Sequence, residues 1–303
     1  MPELPEVERV RLSLLPLIGR KVTEVIVRRA GVVERCEHGK ANVRPGAKGL
    51  AAALLAGQRI AELARHGKQM AIVAGAGSAN DAGRGTHPAG CLCVHLGMTG
   101  SLVHGARSND ANAPHAHLVW HLDDNTQLVF DDPRRFGGVW TFTSLDQLVA
   151  ARWSKIGPDA LVIAADDLHA RLQRTQRGLK AALLDQGVVA GLGNIYVDEL
   201  LFTCGLHPRC PARRLPVNAV HHLVERMKIL LLAAIEAGGS SLRDYVDGTG
   251  QPGAFQNRHQ VYGRGGQPCV RCGGRLSSAT IGGRTTVFCR ACQPMRVRVA
   301  RCQ

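Results

Sequence analysis

Proline at position 2 gives this chain a potential nucleophile at its N-terminus. Removal of the initiator methionine before a small residue is expected to expose the secondary amine of Pro2. An α-amino group titrates near about 8, so far more of it is unprotonated at neutral pH than of a lysine side chain near about 10.4. Attack of such an amine on a sugar C1′ gives an iminium, which is an electron sink for elimination. Glu3 and Glu6 follow, and one of them could act as a general acid, although both also suit the N-terminus of a helix.

Two CxxC pairs near the C-terminus have the spacing of a metal site. Cys269 and Cys272 are followed, after sixteen residues, by Cys289 and Cys292. Four thiolates in this arrangement suit one tetrahedral zinc ion, and a closed shell of four thiolates leaves no open position for catalysis. We therefore predict one structural zinc ion. The segment Gly282–Arg284 falls where the tip of a hairpin between the pairs is expected, and an arginine there can bind phosphate.

Cysteine and histidine also alternate on a predicted strand. Cys91, Cys93 and His95 would share one face of that strand, so a second metal site is conceivable. The same alternation describes one buried face of a sheet, which we favour. The other cysteines show no pairing pattern and suit small buried residues in a reducing compartment. They are Cys36, Cys204, Cys210 and Cys302.

A glycine-rich segment precedes one predicted helix. It reads GVVAGLGN at 187–194, so Asn194 is expected to cap the helix, and backbone N–H groups at a helix start can bind phosphate. Taken alone, this pattern usually indicates only the start of a helix and not a binding site. Lys180, one helix earlier, could add a positive charge, although a single lysine is usually a solvated side chain.

Two turn-like motifs follow predicted strands. DPRRFG at 132–137 predicts a tight turn that presents arginine and aromatic side chains together, and such side chains can wedge a base step. Without further context we favour a plain turn with Phe136 in the core. HLGMTG at 95–100 places His95 and Met98 at the end of a strand, where methionine more often fills a gap in packing.

The composition indicates a polyanionic partner. The chain has 303 residues, with 38 Lys and Arg against 24 Asp and Glu, so its formal net charge is +14. A globular protein this basic usually binds nucleic acid. We find no apolar run of about 18 residues and no secretion signal, so we expect a cytoplasmic, nucleoid-associated protein without membrane contact.

The pattern of apolar residues changes along the chain. After a short amphipathic helix that starts near Pro5, strand-like segments dominate as far as Trp140 and predict an antiparallel sandwich or barrel. Helical patterns then continue to about residue 237, before a loop and the cysteine module. The predicted strands are Val22–Val27, Met70–Val73, Cys91–Leu96, Leu118–Leu122 and Gln127–Phe130. The predicted helices are Leu50–Ala56, Asp166–Gln173, Lys180–Gln186, Ile195–Cys204 and Asn218–Ala237.

The order of these motifs resembles a single family, the formamidopyrimidine-DNA glycosylases, over nearly the whole chain. Leu4 favours this branch over the related endonuclease VIII type, which usually has glycine there. The matching segments are MPELPEVE at 1–8, RHGKQM at 65–70, HLGMTGSL at 95–102, DPRRFGG at 132–138, LKAALLDQGVVAGLGNIYVDE at 179–199, GGSSLRDYV at 238–246, VYGRGGQPC at 261–269 and the CxxC pairs.

The resemblance implies an α+β fold with an N-terminal β-sandwich, a helix–two-turns–helix domain and a C-terminal zinc finger that grip kinked, damaged double-stranded DNA. It also implies removal of oxidised purines and strand cleavage by β,δ-elimination. In that reading Pro2 forms the Schiff base and Glu3 is the general acid. Lys68 matches the lysine assigned to β-elimination. Arg284 matches the finger arginine that grips the lesion phosphate and is assigned to δ-elimination.

Further matches imply contacts with DNA. Met98, Arg134 and Phe136 match the residues that fill the gap left by an everted base. The segment Ser240–Tyr245 opens the loop that closes over that base. The remaining residues that we place among the DNA contacts are His95, His115, Arg177, Lys180 and Asn194.

This chain departs from the family pattern at several positions. His66 stands where arginine is usual, Gln69 where tyrosine is common, and Ala116 where aspartate is common. Gln176 occupies a position that is often basic, so we expect Arg177 to substitute for it. Two additions to the pattern are a loop rich in Gly, Ala and Ser and a basic tail that is an extra candidate for phosphate contact, Gly75–Gly90 and Arg296–Arg301.

We expect a monomer with three domains, at residues 1–148, 156–246 and 247–303. A damage-binding protein that does not cut DNA is an alternative, but it would not need Pro2 and Glu3. An endonuclease VIII-like enzyme for oxidised pyrimidines is the runner-up, and Leu4 and the length of the lesion loop after Gly238 discriminate between it and the favoured reading.

Overall fold

The computed structural model describes most of the chain. The described residues are 2–37, 40–41, 47–75, 90–107 and 114–295. The predicted loop Gly75–Gly90, apart from its two ends, and the predicted basic tail Arg296–Arg301 lie outside these ranges.

The chain folds into two compact units. The first comprises Met1–Lys155 and Gly238–Gly253, and the second comprises Ile156–Ala237 and Ala254–Gln303. The segment Gly238–Gly253 therefore packs with N-terminal residues that are far from it in sequence.

Two sheets form the first unit. In the order in which they pair, the strands of the four-stranded sheet are β1 (Val22–Val27), β8 (Ala116–Leu122), β9 (Thr126–Asp131) and β7 (Ser101–Ala106). Those of the six-stranded sheet are β3 (Lys40–Ala41), β2 (Val33–Glu37), β10 (Gly138–Phe142), β6 (Cys91–His95), β5 (Gln69–Gly75) and β4 (Arg59–His66). All pairs are antiparallel except the parallel pair of β2 and β10.

Apolar side chains from both sheets share one core, which confirms the predicted sandwich. Leu118 and Phe130 of the four-stranded sheet belong to the same buried cluster as Leu92 and Val94 of the six-stranded sheet. Because successive side chains of a strand point to opposite faces, alternate residues supply this core.

Helix α1, Leu4–Ser13, closes one part of this core. Pro5 lies in its first turn. Backbone N–H groups there have no partner within the helix, so the N–H that proline lacks costs no hydrogen bond. Val7 and Val10 lie one turn apart and belong to the sandwich core. The predicted opening helix is therefore confirmed, and core packing fixes the start of the chain.

A second apolar layer covers the other face of the six-stranded sheet. Cys91 and Cys93 pack in it with Phe142, Leu148 and Trp153. Burial raises the pKa of the Cys91 thiol to about 12, so it is neutral. The alternation of these cysteines thus marks one buried face. The two short helices of this unit are α2 (Ala47–Ala53) and α3 (Leu145–Ala151).

The second unit is helical and ends in a two-stranded ribbon, as the sequence predicts. Its helices are α4 (Ala165–Gln173), α5 (Leu179–Leu184), α6 (Asn194–Thr203) and α7 (Val217–Glu236), and its strands are β11 (Ser277–Ile281) and β12 (Arg284–Phe288). None of the helices in the described ranges is long and apolar enough to cross a membrane.

Helix α6 begins differently from the prediction. Gly193 occupies the capping position, and Asn194 is already the first helical residue. The Asn194 side-chain amide donates to the backbone oxygen of Thr285 at 2.9 Å. The expectation that Asn194 caps the helix is therefore wrong, because its side chain binds the ribbon instead.

Candidate functional site

The residues that precede α1 are held in a fixed conformation. Pro2 and Glu3 are both buried. The backbone N–H of Glu3 donates to Oε2 of Glu6 at 2.8 Å, and Glu3 in turn caps the N–H of Glu6. This reciprocal capping box satisfies backbone donors that a helix start leaves without partners. It also fixes the backbone of Glu3, the residue that follows Pro2.

The carboxylate of Glu6 also connects α1 to the segment Gly238–Gly253. Its Oε1 accepts from the backbone N–H of Ser240 at 2.8 Å, and the hydroxyl of Tyr245 donates to the Glu6 backbone oxygen at 3.1 Å. Gly239 has φ +82°, and a Cβ there would lie 3.0 Å from the Glu6 carboxylate. Sequence reasoning gave Glu6 only the role of a helix charge or acid, and missed this contact with a segment 234 residues away.

Lys68 is buried in the tight turn between β4 and β5. Gly67, with φ +58°, makes that turn possible. Arg65 clamps the turn to α1, because its Nη1 donates to the Gly67 backbone oxygen at 3.0 Å and its Nε to Glu8 at 2.7 Å. Burial acts to raise the pKa of Glu8, but hydrogen bonds from Arg11 and Arg65 outweigh it and hold that pKa below its usual range. The clamp is therefore ionic at neutral pH.

Both departures from the family pattern near Lys68 contact one short segment. The ring of His66 stacks on Trp153 with centroids 5.6 Å apart. The side-chain oxygen of Gln69 accepts from Nε of Arg152 at 3.4 Å. Residues 152–153 therefore support the two residues that flank the turn.

His95 ends β6 as a neutral side chain. Its Nδ1 accepts from the backbone N–H of Gly97 at 3.1 Å, so the ring proton resides on Nε2. Burial, followed by the charges of Lys68 and Arg152, lowers the pKa of His95 to about 4. At neutral pH the ring can therefore donate a hydrogen bond to a phosphate but cannot form an ion pair with it.

Asp132 organises the turn that follows β9. It is fully buried, and its two oxygens accept from the hydroxyl of Thr99 and from the backbone N–H of Gly137, each at 2.7 Å. A Cβ at Gly97 would clash with the backbone of Gly137, so the two predicted turns pack against each other. The predicted tight turn is confirmed, and Asp132 is its main support. Exposed His115 lies beside it, because its backbone oxygen accepts from the Asp132 N–H.

The two packed turns present apolar side chains to solvent. Met98 is 39% exposed and Phe136 is 54% exposed. The guanidinium carbon of Arg134 lies 4.7 Å from the centre of the Phe136 ring, within range of a cation–π contact. The expectation that Phe136 packs into the core is therefore wrong, because Asp132 rather than the ring fixes the turn.

Four cysteines of the second unit form a metal site. The sulfur atoms of Cys269, Cys272, Cys289 and Cys292 all lie within 4.8 Å of one another. This is the one group of metal-ligating side chains found among the described residues. Four converging thiols suit zinc, which prefers sulfur ligands and tetrahedral geometry.

Arg284 begins the second strand of the ribbon next to this site. Gly282 and Gly283, with φ +58° and +71°, form the turn that precedes it. The hairpin pairs Ile281 with Arg284, and the Arg284 side chain is exposed. The predicted hairpin tip is confirmed.

Lys180 and Arg177 have different surroundings. Lys180 is 0% exposed, and its Nζ lies 2.6 Å from Oδ1 of Asp198. The expectation of a solvated lysine is wrong, and a phosphate contact would require Lys180 to become accessible. Exposed Arg177 instead pairs with Asp185 at the surface.

Comparison with known proteins identifies the family. Three family models match: the formamidopyrimidine-DNA glycosylase N-terminal domain over 1–139, the H2TH domain of the same proteins over 156–246, and a zinc finger found in FPG and IleRS over 266–294. The formamidopyrimidine-DNA glycosylase of Solibacter usitatus is 37% identical over 97% of this chain and 99% of its own, and that of Laribacter hongkongensis is 41% identical over 97% and 100%. The chain belongs to the formamidopyrimidine-DNA glycosylase family.

Solved structures agree with this assignment. A mutant Lactococcus lactis FPG in complex with DNA that contains Fapy-dG matches with a TM-score of 0.82 and 32% identity, over 97% of this chain and 100% of that one. The MutM (FPG) protein of Thermus thermophilus matches with a TM-score of 0.78 and 36% identity, over 96% and 98%. The formamidopyrimidine-DNA glycosylase fold therefore extends over nearly all of this chain.

Proposed function

We propose that this protein is a bifunctional DNA glycosylase that removes oxidised purines, such as 8-oxoguanine and formamidopyrimidines, from duplex DNA and cleaves the strand by β,δ-elimination. The observation that carries the proposal is the position of Pro2 and Glu3, which are buried directly before α1, where the Glu6 carboxylate accepts from the Glu3 N–H. Fixed neighbouring positions of a nucleophile and an acid favour the first chemical step.

The first step joins the protein to the sugar. The nitrogen of Pro2 attacks C1′ of the damaged nucleotide, and the glycosidic bond breaks. The base leaves with the electrons of that bond and takes up the proton released by the amine. Glu3 donates a proton to the sugar ring oxygen as the base departs, which opens the ring and leaves an iminium between Pro2 and C1′.

The second stage breaks the DNA strand. The iminium makes the C2′ protons acidic, so removal of one of them expels the 3′-phosphate, and a further elimination expels the 5′-phosphate. Lys68 is the group that we assign to the first elimination. Arg284, which is exposed on the ribbon, would bind the phosphate that leaves in the second, because a guanidinium can form two parallel bonds to phosphate.

The four-cysteine site would supply only structure to this reaction. Its four thiolates fill the coordination sphere of a zinc ion, so the ion would hold the ribbon that carries Arg284 and would not bind substrate. The chemistry is therefore left to the side chains of the chain itself.

Binding to DNA is supported by charge and by the exposed turn. The net charge of +14 favours a polyanion, and Met98 and Phe136 present apolar surface beside Arg134. We propose that these three side chains fill the gap left by an everted base. The protein would act as a monomer on duplex DNA inside the cell.

A comparison of four duplexes tests the proposal. They carry 8-oxoguanine, a formamidopyrimidine, an oxidised pyrimidine or no lesion, and base release and new strand ends are measured separately. We expect release of both purine lesions and 3′-phosphate ends. Faster release of the pyrimidine would instead indicate an endonuclease VIII-like enzyme, and tight binding without release would indicate a damage-binding protein.

A further inference from the structure

Two buried charged side chains of the second unit, Lys180 and Asp198, form an ion pair. Lys180 is 0% exposed and Asp198 is 2% exposed, with 2.6 Å between Nζ and Oδ1. Removing two charges from water is costly, and their mutual attraction often fails to offset that cost. The ion pair alone therefore need not stabilise the fold. The further hydrogen bonds of its two members indicate its role.

Both members of the pair bind the strand that carries Arg284. Nζ of Lys180 donates to the Thr285 backbone oxygen at 3.3 Å, and Oδ2 of Asp198 accepts from the Val287 backbone N–H at 3.0 Å. The amide of Asn194 donates to the same Thr285 oxygen at 2.9 Å. Three side chains from two helices thus hold the backbone of β12 directly after Arg284.

The hairpin turn is held from the same helix. A Cβ at Gly282 would lie 3.5 Å from the Cβ of Ala181, which follows Lys180 in α5. The turn before Arg284 therefore packs on α5, and the residues after it are hydrogen-bonded to α5 and α6. The backbone of Arg284 is fixed on both sides, while its exposed side chain can reach a ligand.

We propose that Lys180, Asp198 and Asn194 are positioning residues that set the location of Arg284 through the backbone of β12, and that Lys180 does not itself bind DNA. This inference rests on the proposed role of Arg284 in the second elimination. It replaces the sequence-based reading in which Lys180 is a phosphate contact. It also gives a role to Asp198, to which the sequence analysis assigned none.

The test uses the zinc-loaded protein and a duplex with one preformed abasic site. Lys180→Met removes one charge. Lys180→Met combined with Asp198→Asn removes both charges and keeps an oxygen that can accept from Val287. Lys155→Met is the matched control, because it removes a lysine charge at an exposed position. The measurements are the ratio of the second to the first elimination product, borohydride trapping, zinc content, and the salt dependence of DNA affinity.

We expect the second elimination to slow in both variants by up to about a hundredfold, the loss that a displacement of one ångström can cause. Trapping, zinc content and the salt slope should match those of the control. The proposal is overturned if the double variant keeps the wild-type product ratio, or if it loses its zinc. It is also overturned if Lys180→Met lowers the salt slope by about one unit, because that is the signature of a lost phosphate contact.

A further variant separates this inference from the proposed function. Arg284→Ala should suppress the second elimination in an otherwise wild-type protein. If it does not, or if the wild-type protein cannot be trapped at all, the proposed function is wrong. If Arg284→Ala behaves as expected while both Lys180 variants behave like the control, only the positioning role is wrong.

Discussion

The helix that follows Pro2 and the strand that carries Arg284 are stabilised by different interactions. Helix α1 contributes Val7 and Val10 to the large apolar core of the sandwich. Strand β12 contributes Val287 to a small cluster that includes two of the metal-ligating cysteines. Apolar burial can therefore hold the first, whereas the second needs the metal and its polar contacts. In the proposed mechanism, the attack by Pro2 thus depends on apolar packing, whereas the second elimination at Arg284 depends on the metal and on polar contacts.

Zinc removal should separate the two regions most strongly. The binding free energy of a structural zinc ion is about 10 to 16 kcal/mol in small domains and is at the same time folding free energy. Chelation, or Cys289→Ser, should unfold the ribbon and suppress the second elimination, while backbone amides of β8 keep their protection from hydrogen exchange. Cys204→Ser, outside the metal site, is the control. Loss of protection throughout the sandwich would show that the two regions are not separately supported.

Replacing the proposed acid should affect the early chemistry alone. Glu3→Gln keeps the size of the side chain but cannot donate a proton from a carboxyl group, so base removal should slow by about 10² to 10⁴-fold. Cleavage of a preformed abasic site should slow much less, because that substrate needs no base removal. Glu236→Gln, at the exposed end of α7, serves as the control. Equal slowing on both substrates would assign Glu3 to a later step.

Acid should destabilise the first unit through His95. The folded-state pKa of about 4 lies below the ordinary value of 6.5, so between these values the unfolded chain binds a proton that the folded protein does not. Stability should therefore be full above pH 6.5 and fall as the pH falls toward 4, by about 3 kcal/mol. In urea unfolding, the free energy of unfolding of His95→Asn should fall less between pH 6.5 and 4 than that of the wild-type protein. The exposed control His222→Asn should show the same fall as the wild-type protein. An unchanged acid limb in His95→Asn would show that another group causes the loss.

The smallest effect is expected where α1 meets the segment Gly238–Gly253. Glu6→Gln leaves one oxygen for two backbone donors, those of Glu3 and Ser240. One N–H then loses its acceptor, at a cost of about 1 to 3 kcal/mol. Hydrogen exchange should accelerate in that segment more than in the ribbon, whereas exposed Glu225→Gln should change neither. Unchanged exchange there would show that Glu6 does not hold the segment.

Local patterns predicted the metal ligands and many of the elements, although β4, β7 and α3 were not among the predicted segments. The spacing of the four cysteines specifies a site without any further information, and short runs rich in apolar and β-branched residues between turn residues predict strands such as β1 and β8. Each of these signals lies within a short stretch of sequence. The predicted helix boundaries differ from those in the structure by only a few residues.

Roles that depend on distant partners were not predictable. Asp198 resembles an ordinary polar residue of a helix until its partner Val287, 89 residues away, is known. Lys180 was expected in solvent because its partner Asp198 lies on another helix. Asn194 was expected as a cap because its partner Thr285 lies on β12. Phe136 was expected in the core because no local signal shows that buried Asp132 fixes its turn.

The central claim is that the chain end, rather than a lysine, forms the bond to DNA. Borohydride reduction during reaction with a duplex that contains one 8-oxoguanine, followed by proteolysis and mass spectrometry, locates that bond. We expect the adduct on Pro2 as the first residue of the processed chain. Pro2→Gly should keep lesion binding and lose most of the trapping, since a primary amine replaces the ring nitrogen only in part. An adduct that maps to Lys68, or that forms while Met1 is retained, would contradict the account.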